Sequence, residues 1–466
     1  MEPDVPSSEP FPAQPLSPLD GRYAPVVAGL GEFLSEAGLN RARVEVEIEW
    51  LIALTDRGLF GSQPLDDARK TALRETYIDF GAGEIAWLAE REAVTRHDVK
   101  AVEYLVRDRL SRLGLDAIAE LTHFACTSED INSLAYALTV RRAIEQVWLP
   151  AYLRVIERLT ELAREHADAP MLSHTHGQPA TPSTMGKELA VFVWRLQRVA
   201  AQIERSEYLG KFSGATGTWS AHVAAEPDAD WPAITRSFVE SLGLSYNPVT
   251  TQIESHDWQV ELYDRVRHAG GILHNLATDI WTYISLGYFS QIPVAGATGS
   301  STMPHKINPI RFENAEANLE IAGGLLGTLA QTLVTSRLQR DLTDSSTQRN
   351  IGVALGHSLL ALDNLRRGLG EIALAQGVLD ADLDSNWEVL GEAIQTVVRA
   401  EVVAGRSSIA DPYALLKELT RGRRVGQAEL AEFVSGLEIG DAAKQRLLAL
   451  TPRTYTGLAA EVVDLL

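Results

Sequence analysis

The sequence predicts an all-α protein dominated by long helices, and three observations carry that prediction. Apolar residues return at three- and four-residue steps through most of the chain. Strand-like alternation is nearly absent. The periodic stretches of the middle third run for ~25–30 residues, or ~40 Å of helix. A single globule rarely needs such lengths, whereas elongated bundles do.

Taken in order, Pro3, Pro6, Pro10, Pro12, Pro15 and Pro18 mark the start of the chain as a mobile tail. Next comes an ambiguous stretch. Val44, Val46, Ile48 and Trp50 alternate with Arg43, Glu45, Glu47 and Glu49, as in a strand. Val44, Ile48 and Leu51 also fit a helix, and the scarcity of other alternation decides for helix. Further on, Leu149, Leu153, Ile156, Leu159 and Leu162 form one apolar face, and Leu189, Phe192, Leu196, Val199 and Ile203 a second. Leu273, Leu276, Ile280 and Ile284 form a third, and Leu319, Leu326, Leu329 and Leu333 a fourth. Helices are therefore expected over roughly 131–166, 184–209, 257–289 and 310–337. Helices apolar on more than one face pack against another subunit, so an oligomer is expected; a monomeric all-α protein is the alternative.

Composition narrows the function. The 466 residues are 45% hydrophobic and 22% charged, ordinary for a soluble globular chain. Cys126 is the single cysteine, which excludes intramolecular disulfides and cysteine-based metal sites and fits a cytoplasmic setting. Residues 1–15 lack a basic start and an apolar run, so no secretory signal is expected. No stretch reaches ~18 uninterrupted apolar residues; Arg195 and Arg198 break up the segment around Ala190–Trp194. A net charge of −20 argues against nucleic acid as partner. It leaves room for a small anion bound by a local cluster of Arg, Lys and His.

Four polar segments interrupt the apolar helices. The first, Ser17-Pro18-Leu19-Asp20-Gly21-Arg22-Tyr23, reads alone as a solvated turn. The second joins Thr95-Arg96-His97-Asp98-Val99-Lys100 with Thr122-His123-Phe124-Ala125-Cys126-Thr127-Ser128-Glu129-Asp130. Asp98 suits a helix N-terminus, and Thr127 or Ser128 suits a cap before Ile131. Such caps are compatible with anion binding. The third, Ser173-His174-Thr175-His176-Gly177-Gln178-Pro179-Ala180, reads as a loop. Its histidines lack an acidic or cysteine partner at metal spacing, so acid–base work fits better than a metal. The fourth is residues 291–309, with Gly296, Gly299, Pro304 and Pro309. By composition it is a linker or a closing lid. Its order, Gly299-Ser300-Ser301-Thr302-Met303-Pro304-His305-Lys306-Ile307-Asn308, is much more specific. Beyond it, Arg337, Arg340, Asp341, Asp344, Ser345, Ser346 and Arg349 suit carboxylate or phosphate recognition, or are solvated helix charges.

That loop resembles the Gly-Ser-Ser-x-Met-Pro-x-Lys-x-Asn signature of the fumarase/aspartase superfamily. Within it, the chain is similar to the bacterial purine-biosynthesis branch. The supporting segments are Ser17–Tyr23, His97–Tyr104, His123–Asn132, Thr175–Thr184, Arg340–Ser345 and Asn386–Leu390, in family order over nearly the whole chain. The resemblance implies a three-domain, all-α, fumarase/aspartase-like fold with a long central bundle. We place its parts at 1–16 (tail), 17–117, 118–370 and 371–466. It implies a homotetramer whose active sites draw on three subunits. It implies fumarate release from adenylosuccinate, giving AMP, and from SAICAR, giving AICAR, with no cofactor and no metal. By likeness Ser300 is the general base and His176 the general acid. Arg22, Tyr23, Arg96, His97, Asp98, Thr127, Ser128, Gln252, Ser301, Lys306, Asn308, Asn314, Arg340, Ser345 and Arg349 are the implied substrate contacts. Arg96 stands where some relatives have Asn, and His174 where some have Arg.

The chemistry explains the residue types. Loss of a proton next to a carboxylate builds a doubly negative group, which Lys306 and Asn308 can stabilise. A serine is a base only when positive charge, N–H donors and exclusion of water stabilise its alkoxide. The departing nitrogen needs a proton, and a histidine can give it. Sister lyases acting on argininosuccinate, malate or aspartate share the serine loop, and a recruited structural protein shares the fold. The accessory segments favour the purine substrate, and the presence of both Ser300 and His176 favours an enzyme.

Overall fold

A computed structural model describes residues 15–293, 303, 306–420 and 425–466. The tail 1–14 and the loop residues Ser300 and Ser301 lie outside the described residues. The chain divides into two compact units. The first comprises Met1–Tyr152, Val199–Gly271 and Ala317–Asp363, and the second Leu153–Arg198, Ile272–Glu316 and Asn364–Leu466.

Among the described residues helices dominate, with three two-stranded ribbons. In the first unit the ambiguous stretch is the helix Glu36–Asp56. The Ser35 hydroxyl caps it by accepting the Gly38 N–H at 3.1 Å. Its alternation is explained by burial on every side. Val44, Val46, Ile48, Trp50 and Leu51 are all inaccessible to solvent, so apolar residues are wanted on all faces. The charged residues between them are paired: Glu45 with Arg142 at 2.7 Å and Glu49 with Arg74 at 2.7 Å. Trp50 stacks near Phe212 and Phe238, with centroids 4.6 and 5.0 Å away. Each such ring removes roughly 200 Å² from water, about 5 kcal/mol before entropy.

The expected helix over 131–166 is observed in three pieces, Ser128–Ala143, a π-helical turn Ile144–Trp148, and Leu149–Glu165. Pro150 gives the reason. It has no N–H to donate to the carbonyl four residues back, and its ring crowds that carbonyl, so the preceding turn widens. The other long helices are Met185–Glu204, Asp257–Ser285 and Ile310–Leu333. Their inward stripes are those expected: Leu196, Leu273, Leu276 and Ile280 are fully buried. Leu153, counted in one of those stripes, is 39% exposed instead.

The segment 173–180, expected to be a loop, is a β-hairpin. Pro170–Thr175 pairs antiparallel with Gln178–Thr184, and Thr175 faces Gln178. Only His176 and Gly177 lie in the turn, with φ of 53° and 72°. Two positive φ values are what a type I′ turn requires; glycine supplies one freely, and histidine is among the residues that tolerate the other. Later in the second unit, Leu390, Ile394, Val398, Leu430, Val434 and Leu447 form an apolar cluster. Among the described residues, no helix is long and apolar enough to cross a membrane.

Candidate active site

In the first unit, four segments far apart in sequence converge through charged contacts. His97 caps the helix Asp98–Arg112, its Nδ1 accepting the Lys100 N–H at 3.2 Å. This orients Asp98, whose Oδ2 lies 3.0 Å from Arg43 Nη2 and 3.3 Å from Arg349 Nη2. Burial pushes the Asp98 carboxyl up, but Arg43, the Val99 N–H and Arg349 outweigh it and hold it below its ordinary range. Arg43, only 2% exposed, also donates Nε–H to Asn132 Oδ1 at 2.9 Å and Nη1–H to Asn40 Oδ1 at 2.8 Å.

Asn132 belongs to the helix Ser128–Ala143, which Thr127 precedes as N-cap. The Asp130 carboxylate accepts the Thr127 N–H at 2.8 Å and, on its other oxygen, the Ser213 and Gly214 N–H groups at 2.9 and 3.2 Å. Lys211 Nζ completes the set at 2.7 Å, and both partners are fully buried. The Thr127–Ser128 helix start is thus fixed from beneath. Just upstream, His123 adopts φ 56° and Ala125 φ 57°. Glu47 holds His123 twice, accepting its backbone N–H at 3.0 Å and meeting its Nδ1 at 2.6 Å. Burial opposes charging of that ring, but Glu47 and Glu103 more than offset it and raise its affinity for a proton.

From Asn132 the chain of contacts continues. Its amide donates to Glu129 Oε1 at 2.9 Å, and Arg340 Nη2 lies 2.8 Å from the same oxygen. Burial raises the Glu129 carboxyl, and Arg340 and Asn132 counter only part of that. Arg340 Nη2 also donates to the Ser345 hydroxyl at 3.2 Å, while its buried Nε has no partner. Asp344 reaches His256 Nε2 at 3.4 Å, and Gln348 Nε2 lies 3.2 Å from His256 Nδ1. Gln252 is half-buried in the loop before the helix Asp257–Ser285. The Ser17–Tyr23 turn joins by another route. A cavity of about 370 Å³ is lined by Ser17, Asp20, Leu34, Ser35 and Arg349. Arg22 itself is exposed, its guanidinium carbon 5.8 Å from the Tyr23 ring centre. Arg96, at φ 53°, ends the helix Ala82–Thr95 and is exposed; it takes no part in this network.

In the second unit His176 sits exposed at the hairpin tip. The Lys306 N–H donates to the Met303 carbonyl at 3.0 Å, and the side chain is exposed. Asn308 is half-buried ahead of the helix Ile310–Leu333, and Asn314 on that helix accepts from Asn364 at 2.9 Å. Among the described residues, no hydrogen bond or ion pair joins His176 to Lys306 or Asn308.

Arg43, Asn40, Glu47, Lys211 and His256 were not among the sequence-derived candidates. Arg43 and Glu47 looked like the polar half of an alternating pattern. Only their burial, at 2% and 0%, sets them apart.

The chain thus carries an arginine-rich, hydroxyl-bearing cluster, a histidine turn and a Ser-Lys-Asn loop, the parts of an anion-binding lyase. Comparison with known proteins agrees. The family model described as "Lyase" matches residues 39–323, and "Adenylosuccinate lyase C-terminal" matches 336–456. The chain is 45% identical to the adenylosuccinate lyase of Haemophilus influenzae and 44% identical to that of Escherichia coli K12; each match covers 96% of this chain and 98% of the relative. By fold it is similar to a fumarate lyase from Mesorhizobium sp. BNC1 (TM-score 0.73, 20% identity, 93% of this chain and 96% of that one). It is likewise similar to 3-carboxy-cis,cis-muconate lactonizing enzyme from Pseudomonas putida (TM-score 0.72, 21% identity, 94% and 95%). The protein is a lyase with the all-α fumarase-like fold. Its sequence belongs to the adenylosuccinate lyase family.

Proposed function

We propose that this protein splits the C–N bond of adenylosuccinate, giving AMP, and of SAICAR, giving AICAR, and releases fumarate each time. The observation that carries the reading is one charged network that joins Asp98, Arg340–Ser345 and Arg349 through the helix that Thr127 caps. It stands in a chain whose relatives are adenylosuccinate lyases. Substrate brings a phosphate and two carboxylates, about four negative charges. Arg22, Arg340, Arg349 and Lys306 balance them. Among the described residues the buried Arg340 Nε–H has no partner, which leaves it one donor uncommitted.

Ser300, as alkoxide, takes the proton from the carbon beside the C–N carbon. That electron pair forms the C=C bond of fumarate. The C–N bond breaks with its pair on nitrogen, and His176 supplies the proton that completes the amino group. One group gains a proton and the other loses one, so the pair returns to its starting state by one net proton transfer. Lys306 and Asn308 stabilise the doubly negative carboxylate formed between the steps. Arg22, Tyr23, Arg96, His97, Gln252, Ser301, Asn314 and Ser345 are the remaining substrate contacts. No metal or cofactor enters this scheme.

The working form is a homotetramer in the cytoplasm, its sites built from several subunits. The long helices support this. Val191, Trp194, Trp281 and Ile321 are 44%, 53%, 40% and 47% exposed in the single chain, an apolar surface that a bundle of subunits would cover. Fumarate release from both purine nucleotides tests the activity. Release from argininosuccinate and from neither nucleotide would overturn it. Ser300→Ala and His176→Ala should each abolish turnover, and exchange of subunits between them should restore part of it.

A further inference from the structure

Two arginines of the substrate cluster, Arg340 and Arg349, are joined through the protein interior by an unbroken chain of contacts. Arg349 Nη2 meets Asp98 at 3.3 Å, and Asp98 meets Arg43 at 3.0 Å. Arg43 donates to Asn132 at 2.9 Å, Asn132 to Glu129 at 2.9 Å, and Glu129 meets Arg340 at 2.8 Å. Cations and anions alternate along it, except that the neutral Asn132 amide relays between Arg43 and Glu129. The ends are partly open to solvent, with the Arg349 and Arg340 side chains 44% and 21% exposed. The middle is sealed: Arg43 is 2% exposed and Asn132 7%.

From this we infer that Arg43 is a positioning residue for the nucleotide. Its guanidinium sets Asp98 on one side and the Asn132–Glu129 pair on the other, and so fixes the spacing of the two arginines that receive the substrate's anionic groups. This deepens the function proposed above and rests on it. Several features single Arg43 out. It is the one member of the chain that touches both halves. Its planar fork suits this role. Nη2 faces Asp98, Nε faces Asn132, and Nη1 is pinned by Asn40 at 2.8 Å, so each nitrogen is committed in one plane. A lysine offers a point charge and cannot hold all three. The helix Glu36–Asp56 carries it, and its neighbours Ala42, Val44, Val46 and Glu47 on that helix are all buried. Its nitrogens are divided between one carboxylate and two amides, and both the carboxylate and one amide lead on to a site arginine.

The test uses full-length Arg43→Lys and Arg43→Met, with Arg142→Met as comparison. Arg142 sits in the same helix pair, bound to Glu45 at 2.7 Å, but leads to nothing in the site. Wild-type protein is first shown to release fumarate from adenylosuccinate; failure at that step condemns the proposed function, not this inference. Since sub-ångström to ångström misplacement of binding groups is costly, KM for adenylosuccinate should rise at least about tenfold in Arg43→Met and less in Arg43→Lys. The dissociation constant of AMP should rise in parallel, and kcat should stay within about threefold, the signature of lost uniform binding. Arg142→Met should melt earlier with KM unchanged. If Arg43→Met does not fold, Arg43→Lys carries the comparison alone. Unaltered KM and AMP affinity in folded Arg43→Lys, or an equal KM rise in Arg142→Met, would overturn the inference.

Discussion

Asp130→Asn is expected to be one of the most destabilising isosteric changes in the first unit. Asp130 and Lys211 are both fully buried, 2.7 Å apart. Breaking a buried pair by removing one charge costs about 3–5 kcal/mol, because the other charge stays behind without compensation. Lys211 would keep only neutral acceptors, the Gly214 carbonyl at 2.7 Å and at best the amide oxygen. The amide adds a second loss. The carboxylate accepts backbone N–H groups from Thr127, Ser213 and Gly214 on its two oxygens. An amide has one oxygen, so its NH₂ must face at least one of those donors. A stranded buried N–H costs about 1–3 kcal/mol more. The sum, about 4–8 kcal/mol, is comparable with the whole stability of many proteins. Urea unfolding followed by circular dichroism, at equal protomer concentration, measures it. Lys211→Met should cost less than Asp130→Asn, since three N–H donors still stabilise the carboxylate. The double variant should be more stable than Asp130→Asn alone, because no lone charge remains. A midpoint for Asp130→Asn equal to wild type, or no recovery in the double variant, would refute the reasoning.

Three other expectations follow from the same geometry. His176→Asn keeps a residue that tolerates positive φ, so the hairpin should persist within about 0.5 kcal/mol by thermal melting; fumarate release should fall about 10²–10⁴-fold with loss of the acid. Gly217→Ala places a methyl 2.1 Å from the Thr250 carbonyl oxygen at φ +78°. It should destabilise by about 2 kcal/mol and raise KM by displacing the loop that leads to Gln252. His222 is fully buried beside Trp231, and burial pushes its pKa down to about 4 from 6.5. The unfolded chain therefore binds a proton between pH ~6.5 and ~4 that the native state does not. Stability should rise with pH across that window, by about 3 kcal/mol in all. Urea midpoints across that window should show a shallower slope for His222→Phe than for wild type.

Much of the fold was legible because long helices repeat one signal many times. Leu196, Leu273 and Ile280 announce their faces by spacing and are fully buried. The signal fails where burial is total. Around Trp50 every face is covered, so period 3.6 dissolves into apparent alternation. It fails again at His174–Gln178, where a hairpin depends on two positive φ values that composition does not display. Within the candidate site, the polar segments stood out in the sequence as motifs, whereas the buried groups that hold them did not. Arg43 and Glu47 carry the letters of a solvated helix, and only tertiary structure turns them inward. Fold class is a sum over many weak signals. The identity of a supporting residue hangs on a single contact.

The distribution of strain shows what those hidden residues are for. Non-glycine residues at positive φ include Arg96, His123, Ala125, His176 and His256, all in or beside the candidate segments. Each such residue costs on the order of 1–3 kcal/mol and persists only where surroundings over-determine it. At His123 and His256 the surroundings are buried carboxylates. Glu47, inaccessible, grips His123 by backbone and ring. Glu254, 1% exposed, accepts the His256 N–H at 2.7 Å and is itself held by Asn247 at 2.8 Å. Asp130 does the same for Thr127. A buried carboxylate is expensive, and its hydrogen bonds offset that cost only in part. The cost is understandable if the product is a fixed binding surface. Strained loops place hydroxyls and imidazoles where a regular helix or strand could not, and the buried acids keep them there before substrate arrives. Preorganisation of this kind suits an elimination whose intermediate gathers negative charge, since donors that already point inward need not reorganise as the charge appears. The acids that hold the site are therefore as much a part of its chemistry as the residues that face the substrate.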